Sequence, residues 1–275
     1  MHVREPWLVQ QVFESDSYVI HKTNIDTARS LFYQMKEDLS LRIAGLDLRS
    51  TLNLLIQYLF CEKKILPVNN DRCLAGDFDL RLVTNLILKQ SGFCVELSLL
   101  FLMLARSLSV TCYGIVLPMH HMLIGFGDSN NPKYIELSQL GKFEDVSYVE
   151  KLSRSYSRLS KIEPVVCDSD EKVVAVYWNL IGHVLYRKGQ LEKAKTCFEK
   201  AIQFDHNFPR LHYSFGYVLY SLGQKDLAIQ QMKEELRIDP DFIHAQLHLA
   251  YFLLDHNGDC NGAREILKIV LSKIA

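Results

Sequence analysis

The sequence lacks a surplus of charge of either sign. Its 275 residues include 31 lysines and arginines and 32 aspartates and glutamates, so the formal net charge is −1. Proteins that bind nucleic acid usually cluster basic side chains on one face or along one helix, and no such basic stripe occurs here. We therefore expect no nucleic acid among the partners, and we expect peptides, proteins or small molecules instead.

Paired cysteines are also missing. The seven cysteines are widely spaced and no Cys-x-x-Cys pair occurs. This spacing is not that of a disulfide framework, and it is not that of a zinc site. We expect a protein of a reducing compartment, the cytoplasm, with no metal ion and no cofactor.

Long hydrophobic runs are absent as well. The longest, within Leu97 to Ala105, is shorter than the roughly 20 residues that a membrane-spanning helix needs. The first residues, MHVREPWLVQQVFESDSYVI, lack the basic start and apolar core of a secretory signal. These two absences predict a soluble chain without a membrane span.

An internal repeat is present in the last third of the chain. The stretch that begins WNLIGHVLYRKGQ at Trp178 aligns with HYSFGYVLYSLGQ at His212, an offset of 34 residues. Gly182 falls on Gly216, which marks a close crossing of two antiparallel helices, and a third copy has Ala250 at this position. The period and the pattern are those of tetratricopeptide repeats, and we expect about three of them.

The first helix of each repeat is expected to line a concave groove. A tyrosine-rich groove suits an extended peptide or a hydrophobic helix, because the rings supply contact area at low entropy cost. The alternative is that the rings pack against an adjoining segment of the same chain. The last helix, GAREILKIVLSKIA, stays apolar to its end, which allows a homodimer through that helix. The predicted peptide-binding residues are Asn179, His183, Tyr186, Tyr213, Tyr217, Tyr220 and Tyr251.

The preceding part of the chain predicts helices followed by a small sheet. Apolar residues at helical spacing predict two helices within 25–64 and one over 80–89, before SGFCVELSLLFLMLARSLSV. The short runs CYGIVL, MHHMLIGF and YIELS then predict strands of an antiparallel hairpin. We expect two domains, an α+β domain over 1–165 and an all-α repeat domain over 166–275.

Three residues of the first domain have the order that cysteine catalysis requires. Cys94 lies in the first turn of a predicted helix, where unpaired amides favour a thiolate. His120 and His121 open one strand and Glu136 ends the next, so an imidazole can take the thiol proton while an acid fixes its tautomer. The predicted catalytic residues are Cys94, His120 and Glu136, with His121 expected on the other side of its strand. Alternatively, Cys94 only packs in a core helix.

The order of cysteine, histidine and acid on helix, strand and strand resembles the transglutaminase-like fold, a branch of the papain-like cysteine enzymes. The whole chain resembles the bacterial SirB-type family, in which such a domain precedes tetratricopeptide repeats. The matching stretches are LNLLIQYLF, VNN, SGFCVELSLLFLMLARSLSV, VLPMHHMLI and YIELSQLGK. The resemblance implies that the family's Pro-x-His corresponds to Pro118–His120 and its acid to Glu136. Many members lack the cysteine, whereas Gly92–Cys94 is closer to the Gly-x-Cys of active enzymes.

Two functions follow from these features. In the preferred one, the protein is an adaptor whose repeats bind a protein partner and whose first domain is a scaffold, because the repeats are the stronger signal. In the other, it is a cysteine acyl-transfer enzyme (a peptidase, amidase or transglutaminase). Cys94 then attacks a carbonyl group, His120 moves the proton and Glu136 orients His120.

Overall fold

The structure is a computed structural model that describes residues 5–68, 81–117, 121–128, 132–156 and 164–274. The chain forms two units. The first runs to Tyr156 and includes residues 164–177, and the second begins at Trp178. His120 lies outside the described residues.

The first unit has one buried central helix, α5 (Cys94–Ser107). From Val95 to Ala105 every residue of α5 is buried, which is typical of a helix that is apolar on all sides. The helices are α1 (Trp7–Asp16), α2 (Lys22–Ser40), α3 (Leu48–Gln57, continued by a π-helical turn over Tyr58–Glu62), α4 (Val83–Lys89), α5 (Cys94–Ser107), α6 (Val146–Tyr156) and the first part of α7 (Asp170–Arg187).

One face of α5 packs against a five-stranded antiparallel sheet. The Ser98 hydroxyl donates to the backbone oxygen of Met122 at 3.1 Å, which ties α5 to the second strand of the hairpin. The five strands are β3 (Tyr113–Leu117), β4 (His121–Phe126), β5 (Lys133–Glu136), β6 (Lys142–Glu144) and β7 (Val165–Cys167). Their spatial order is β6, β5, β4, β3 and β7.

A short parallel pair of strands fixes the start of α5. In this pair, β1 (Leu66–Pro67) runs beside β2 (Ser91–Gly92), which enters α5 directly. Gln90 ends α4 in the left-handed region at φ 55° and turns the chain into β2. A Cβ atom at Gly92 would lie 2.6 Å from Cδ1 of Leu86, so a larger residue would displace that leucine. Phe93 caps the helix with extended backbone, and α5 begins at Cys94, as predicted.

The second unit consists of three helical hairpins. The later part of α7 pairs with α8 (Leu191–Phe204), α9 (Leu211–Ser221) with α10 (Lys225–Ile238), and α11 (Ile243–Asn257) with α12 (Cys260–Ile274). At the crossing of α9 and α10, a Cβ on Gly216 would lie 3.3 Å from the Ala228 carbonyl oxygen, so the repeated glycine allows the close approach. The α+β architecture followed by an all-helical region is confirmed. Within the described ranges, no helix is both long enough and apolar enough to cross a membrane.

Candidate active site

The sheet brings His121 against Glu136. Nε2 of His121 lies 2.6 Å from Oε2 of Glu136. The β4–β5 register pairs Ile124 with Ile135, and its continuation sets Leu123 opposite Glu136. Residues two apart on a strand share a face, so His121 faces the carboxylate. We expected His121 on the other side of its strand, and that expectation was wrong. His120, the predicted partner of Glu136, lies outside the described residues.

The carboxylate of Glu136 is held in one orientation. Its Oε1 accepts hydrogen bonds from the backbone N–H and the hydroxyl of Ser138, at 3.0 and 2.6 Å. Its Oε2 also accepts from the Tyr148 hydroxyl at 3.1 Å. Burial acts to raise the pKa of Glu136, but the hydrogen bonds and the charge of His121 outweigh burial and lower it. Glu136, with a side chain that is 1% exposed, is therefore a fixed and buried negative charge.

The thiol of Cys94 contacts the same imidazole. Cys94 is the first residue of α5, is partly exposed, and forms a side-chain hydrogen bond with His121. Because Glu136 engages Nε2, the nitrogen that remains for the thiol is Nδ1. The bond from Ser98 to the Met122 carbonyl holds α5 beside the residue that follows His121. A thiol, an imidazole and a carboxylate therefore form a continuous array.

The electrostatics of this array favour a charged imidazole. Burial of His121 lowers its pKa, but the hydrogen bonds and negative charges of Cys94 and Glu136 more than compensate and raise the pKa from 6.5 to about 10. His121 is therefore protonated at neutral pH. The sulfur of Cys94 therefore adjoins both a protonated imidazole and the positive end of the α5 dipole.

The first unit matches a family model described as the transglutaminase-like superfamily, over residues 26–172, more than half of the chain. The chain belongs to the transglutaminase-like superfamily. Residues 182–223 match a model described as a TPR repeat, and residues 209–242 match one described as a tetratricopeptide repeat. The predicted fusion of a transglutaminase-like domain with tetratricopeptide repeats is confirmed.

Individual proteins are more distantly similar. Human "Protein IFIT1 homolog B" is 27% identical over 89 residues, which are 30% of this chain and 19% of that protein. The chain thus spans about a fifth of the length of this curated relative. The crystal structure of MamA is 22% identical, with a TM-score of 0.35 over 38% of this chain and 64% of that chain. A crystal structure of menin that reveals the binding site for the Mixed Lineage Leukemia (MLL) protein is 11% identical, with a TM-score of 0.46 over 92% and 73% of the two chains. At TM-scores below 0.5, these structures support no functional conclusion.

Glu96 does not belong to the site of this transglutaminase-like domain. It lies two residues after Cys94, about 200° around the helix, and it is fully buried. Burial raises its pKa from 4.5 to about 7, while the charge of Arg81 lowers it and that of Asp16, also buried, raises it. The helix geometry therefore directs Glu96 away from the face of α5 that carries Cys94.

In the tetratricopeptide unit, four of the predicted groove residues border one cavity. The cavity has a volume of about 190 Å³ and is lined by His183, Tyr186, Phe198, Tyr213, Ser214 and Tyr217. Asn179, in contrast, is only 2% exposed, so its side chain offers little surface to a peptide.

Three predicted groove tyrosines are engaged by the following repeat, and the ring of Tyr213 lies 5.0 Å from that of Phe242. The Tyr217 hydroxyl forms a hydrogen bond with Nε2 of His248. The ring of Tyr220 stacks on Phe252, with centroids 4.0 Å apart, and its hydroxyl donates to Asp255. This is the internal packing that we had considered as the alternative. Tyr251, the last predicted groove residue, is 52% exposed.

Proposed function

We propose that the transglutaminase-like domain is a cysteine acyl-transfer enzyme that acts on an amide of a peptide or protein. The observation that carries the proposal is that one imidazole, that of His121, connects the Glu136 carboxylate at 2.6 Å with the Cys94 thiol at a helix N-terminus. Acyl transfer by a thiol needs these three groups in this relation: a nucleophile, a proton carrier and an orienting acid.

In the first step, the Cys94 thiolate attacks the carbonyl carbon of the amide. A C–S bond forms and negative charge develops on the carbonyl oxygen, close to the positive end of the α5 dipole, which stabilises it. The His121 imidazolium then gives its Nδ1 proton to the departing nitrogen. The C–N bond breaks, an amine leaves, and a thioester remains on Cys94.

In the second step, water or an amine attacks the thioester. Neutral His121 takes a proton from the attacking group at Nδ1, the C–S bond breaks, and the thiolate and imidazolium are restored. Water gives a carboxylic acid, as in a peptidase or amidase, whereas an amine gives a new amide, as in a transglutaminase. Throughout, Glu136 accepts the Nε2–H, which keeps Nδ1 as the nitrogen that exchanges the proton.

An acyl-enzyme trap tests this proposal without knowledge of the natural substrate. We expect p-nitrophenyl acetate to release p-nitrophenol in a burst, and peptide mass spectrometry to find the acetyl group on Cys94. The matched controls are Cys61 and Cys260, which are exposed. The burst should disappear in Cys94→Ala and His121→Ala. Equal acetylation of Cys94, Cys61 and Cys260 would show that the array does not activate the thiol.

The tetratricopeptide unit has a second candidate function, an adaptor that binds a protein partner. The observation that favours it is the 190 Å³ cavity, because its aromatic lining suits one apolar side chain of an extended peptide. We expect peptides selected from a displayed library on the wild type to lose binding with Tyr186→Ala. Binding should persist with Tyr251→Ala, outside the cavity, and with Cys94→Ala. Equal loss with Tyr186→Ala and Tyr251→Ala would contradict recognition by the cavity.

A further inference from the structure

Two histidines and a glutamate converge in the middle repeat. His206 lies between α8 and α9, His212 in the first turn of α9, and Glu234 on α10. One ligand atom from each of the three lies within 4.8 Å of the other two. Nε2 of His206 is 3.0 Å from Oε1 of Glu234. The three residues border an open cavity of about 520 Å³, so an ion in solvent has access to them.

The tetratricopeptide pattern does not require this cluster. The position of His212 holds Trp178 one repeat earlier and Gln246 one repeat later, each 34 residues away, and all three side chains are buried. The position of Glu234 holds Lys200 in the earlier repeat, where the ammonium lies 4.3 Å from the Trp178 ring centroid. Different large side chains therefore satisfy the packing. Packing alone does not account for the combination of His212 with Glu234.

Further hydrogen bonds orient these side chains in the manner usual for metal ligands. Nε2 of His212 lies 2.8 Å from the backbone oxygen of His206, which fixes the orientation of the ring. Nδ1 of His212 lies 2.6 Å from Oε1 of Gln231, so an ion at Nδ1 takes the place of this hydrogen bond and has the Gln231 oxygen beside it. Nε of Arg237 donates to Oε1 of Glu234 at 2.7 Å.

We propose that His206, His212 and Glu234 form a binding site for a divalent transition-metal ion such as Zn²⁺. Two imidazole nitrogens and one carboxylate oxygen suit Zn²⁺, with water as a fourth ligand, whereas Mg²⁺ and Ca²⁺ prefer sets of oxygen ligands. Zn²⁺ requires ligands at about 2.0–2.2 Å, so the side chains must close around it. The side chain of His206 is 53% exposed and has the freedom to do so. The bound ion joins the α8–α9 loop to α10.

The test is metal binding by the full chain in a Cys94→Ala background, because the thiol and His121 are themselves a ligand pair for zinc. After treatment with a chelator, the protein is titrated with ZnCl₂ and, separately, with MgCl₂, by calorimetry and by thermal unfolding. We expect one Zn²⁺ per chain, a higher unfolding midpoint with Zn²⁺ and no response to Mg²⁺. His206→Ala and Glu234→Gln should each weaken zinc binding at least about tenfold.

The matched control is His256→Ala, which removes another histidine of the same unit, one that is paired with Asp226 at 2.8 Å. This variant should bind zinc as the background does. Without metal, His206→Ala should unfold at the midpoint of the background, since His206 is exposed. Three results would each overturn the proposal. They are an unchanged zinc affinity in His206→Ala, an equal loss of zinc affinity in His256→Ala, and no detectable zinc binding by the Cys94→Ala background. Cobalt provides an independent readout, because a four-coordinate Co²⁺ site absorbs visible light and His206→Ala should abolish that absorption.

Discussion

Replacement of Glu136 by glutamine is expected to reverse the hydrogen-bond polarity at His121. The carboxylate accepts the Nε2–H through Oε2, while Oε1 accepts two hydrogen bonds from Ser138. A glutamine keeps its carbonyl oxygen toward Ser138, so its NH₂ group faces the imidazole. Because NH₂ donates, Nε2 must become the acceptor and the ring proton moves to Nδ1. In this tautomer, His121 cannot accept the proton of Cys94.

The magnitude follows from the charges around the ring. The pKa of His121 reaches about 10, against an ordinary 6.5, because of Cys94 and Glu136 and in spite of burial. A hydrogen bond to a charged group contributes about 1.5–3 kcal/mol, and one pKa unit corresponds to about 1.4 kcal/mol. Glu136→Gln should therefore lower the pKa of His121 by about 1 to 2 units. Acyl transfer should fall by about 10⁴-fold, as for the acid-to-amide change in the Ser-His-Asp triad.

The assay is the pH dependence of Cys94 alkylation by iodoacetamide, followed by mass spectrometry. We expect the wild type to react near pH 6–7, where ordinary thiols are protonated. The profile of Glu136→Gln should shift to higher pH. Tyr148→Phe is the matched control, since it removes a 3.1 Å hydrogen bond to the same Oε2 and leaves the charge in place. His120→Ala tests the other predicted histidine, and its profile should follow the wild type.

One result would refute this reasoning. If the profiles of wild type, His121→Ala and Glu136→Gln coincide, the imidazole and the carboxylate do not act on the thiol. Cys94 is then a packing residue of α5 and the domain is a scaffold. A shift with His120→Ala but none with His121→Ala would instead assign the proton transfer to His120.

Three further predictions concern stability. Burial raises the pKa of Asp16 from 3.8 to about 6, so its protonated form stabilises the fold below pH 4, and about 3 kcal/mol of the free energy of unfolding is lost as the pH rises through 6. Asp16→Asn should flatten this fall in urea titrations between pH 4 and 7. An unchanged dependence on pH would contradict the prediction. Tyr220→Ala removes a ring stacked on Phe252 of α11 and should lower the free energy of unfolding by about 1–3 kcal/mol. Tyr251→Ala should change that free energy by no more than about 0.5 kcal/mol. Equal losses in the two variants would show that the stack contributes nothing. Arg210→Ala leaves the buried carboxylate of Glu235 without its cation and should lower the free energy of unfolding by about 3–5 kcal/mol. A loss below about 1 kcal/mol would indicate that water or another group replaces the guanidinium.

The fold could be predicted because its signals are local or periodic. The apolar stretch of α5, the alternating strand segments and the 34-residue offset each depend on nearby residues. The choice between His120 and His121 depends instead on strand register, since neighbouring residues of a strand point to opposite faces. No local pattern sets the pairing of Ile124 with Ile135, on which that choice depends.

The parts that the sequence did not predict involve partners distant in the chain. The repeat pattern places Tyr217 and Tyr220 on the first helix of a repeat, but it does not show that His248 and Phe252 of the next repeat engage them. The cluster of His206, His212 and Glu234 was missed for a similar reason. We judged metal binding from cysteine pairs, and Glu234 is separated from the two histidines by the remainder of α9 and the start of α10.

The free energy needed to bury the charges of His121 and Glu136 bears on the choice between an enzyme and a scaffold. The Glu136 side chain is 1% exposed and that of His121 is 15% exposed, so both charges are largely removed from water. Buried ion pairs rarely stabilise a fold more than apolar residues of similar size would. A scaffold would gain little stability from such a pair, which joins the first residue of β4 to the last residue of β5. A cysteine enzyme requires it, because the carboxylate fixes the imidazole and the imidazole moves the proton. The pair of His121 and Glu136, next to a thiol at a helix N-terminus, therefore supports the proposed acyl transfer.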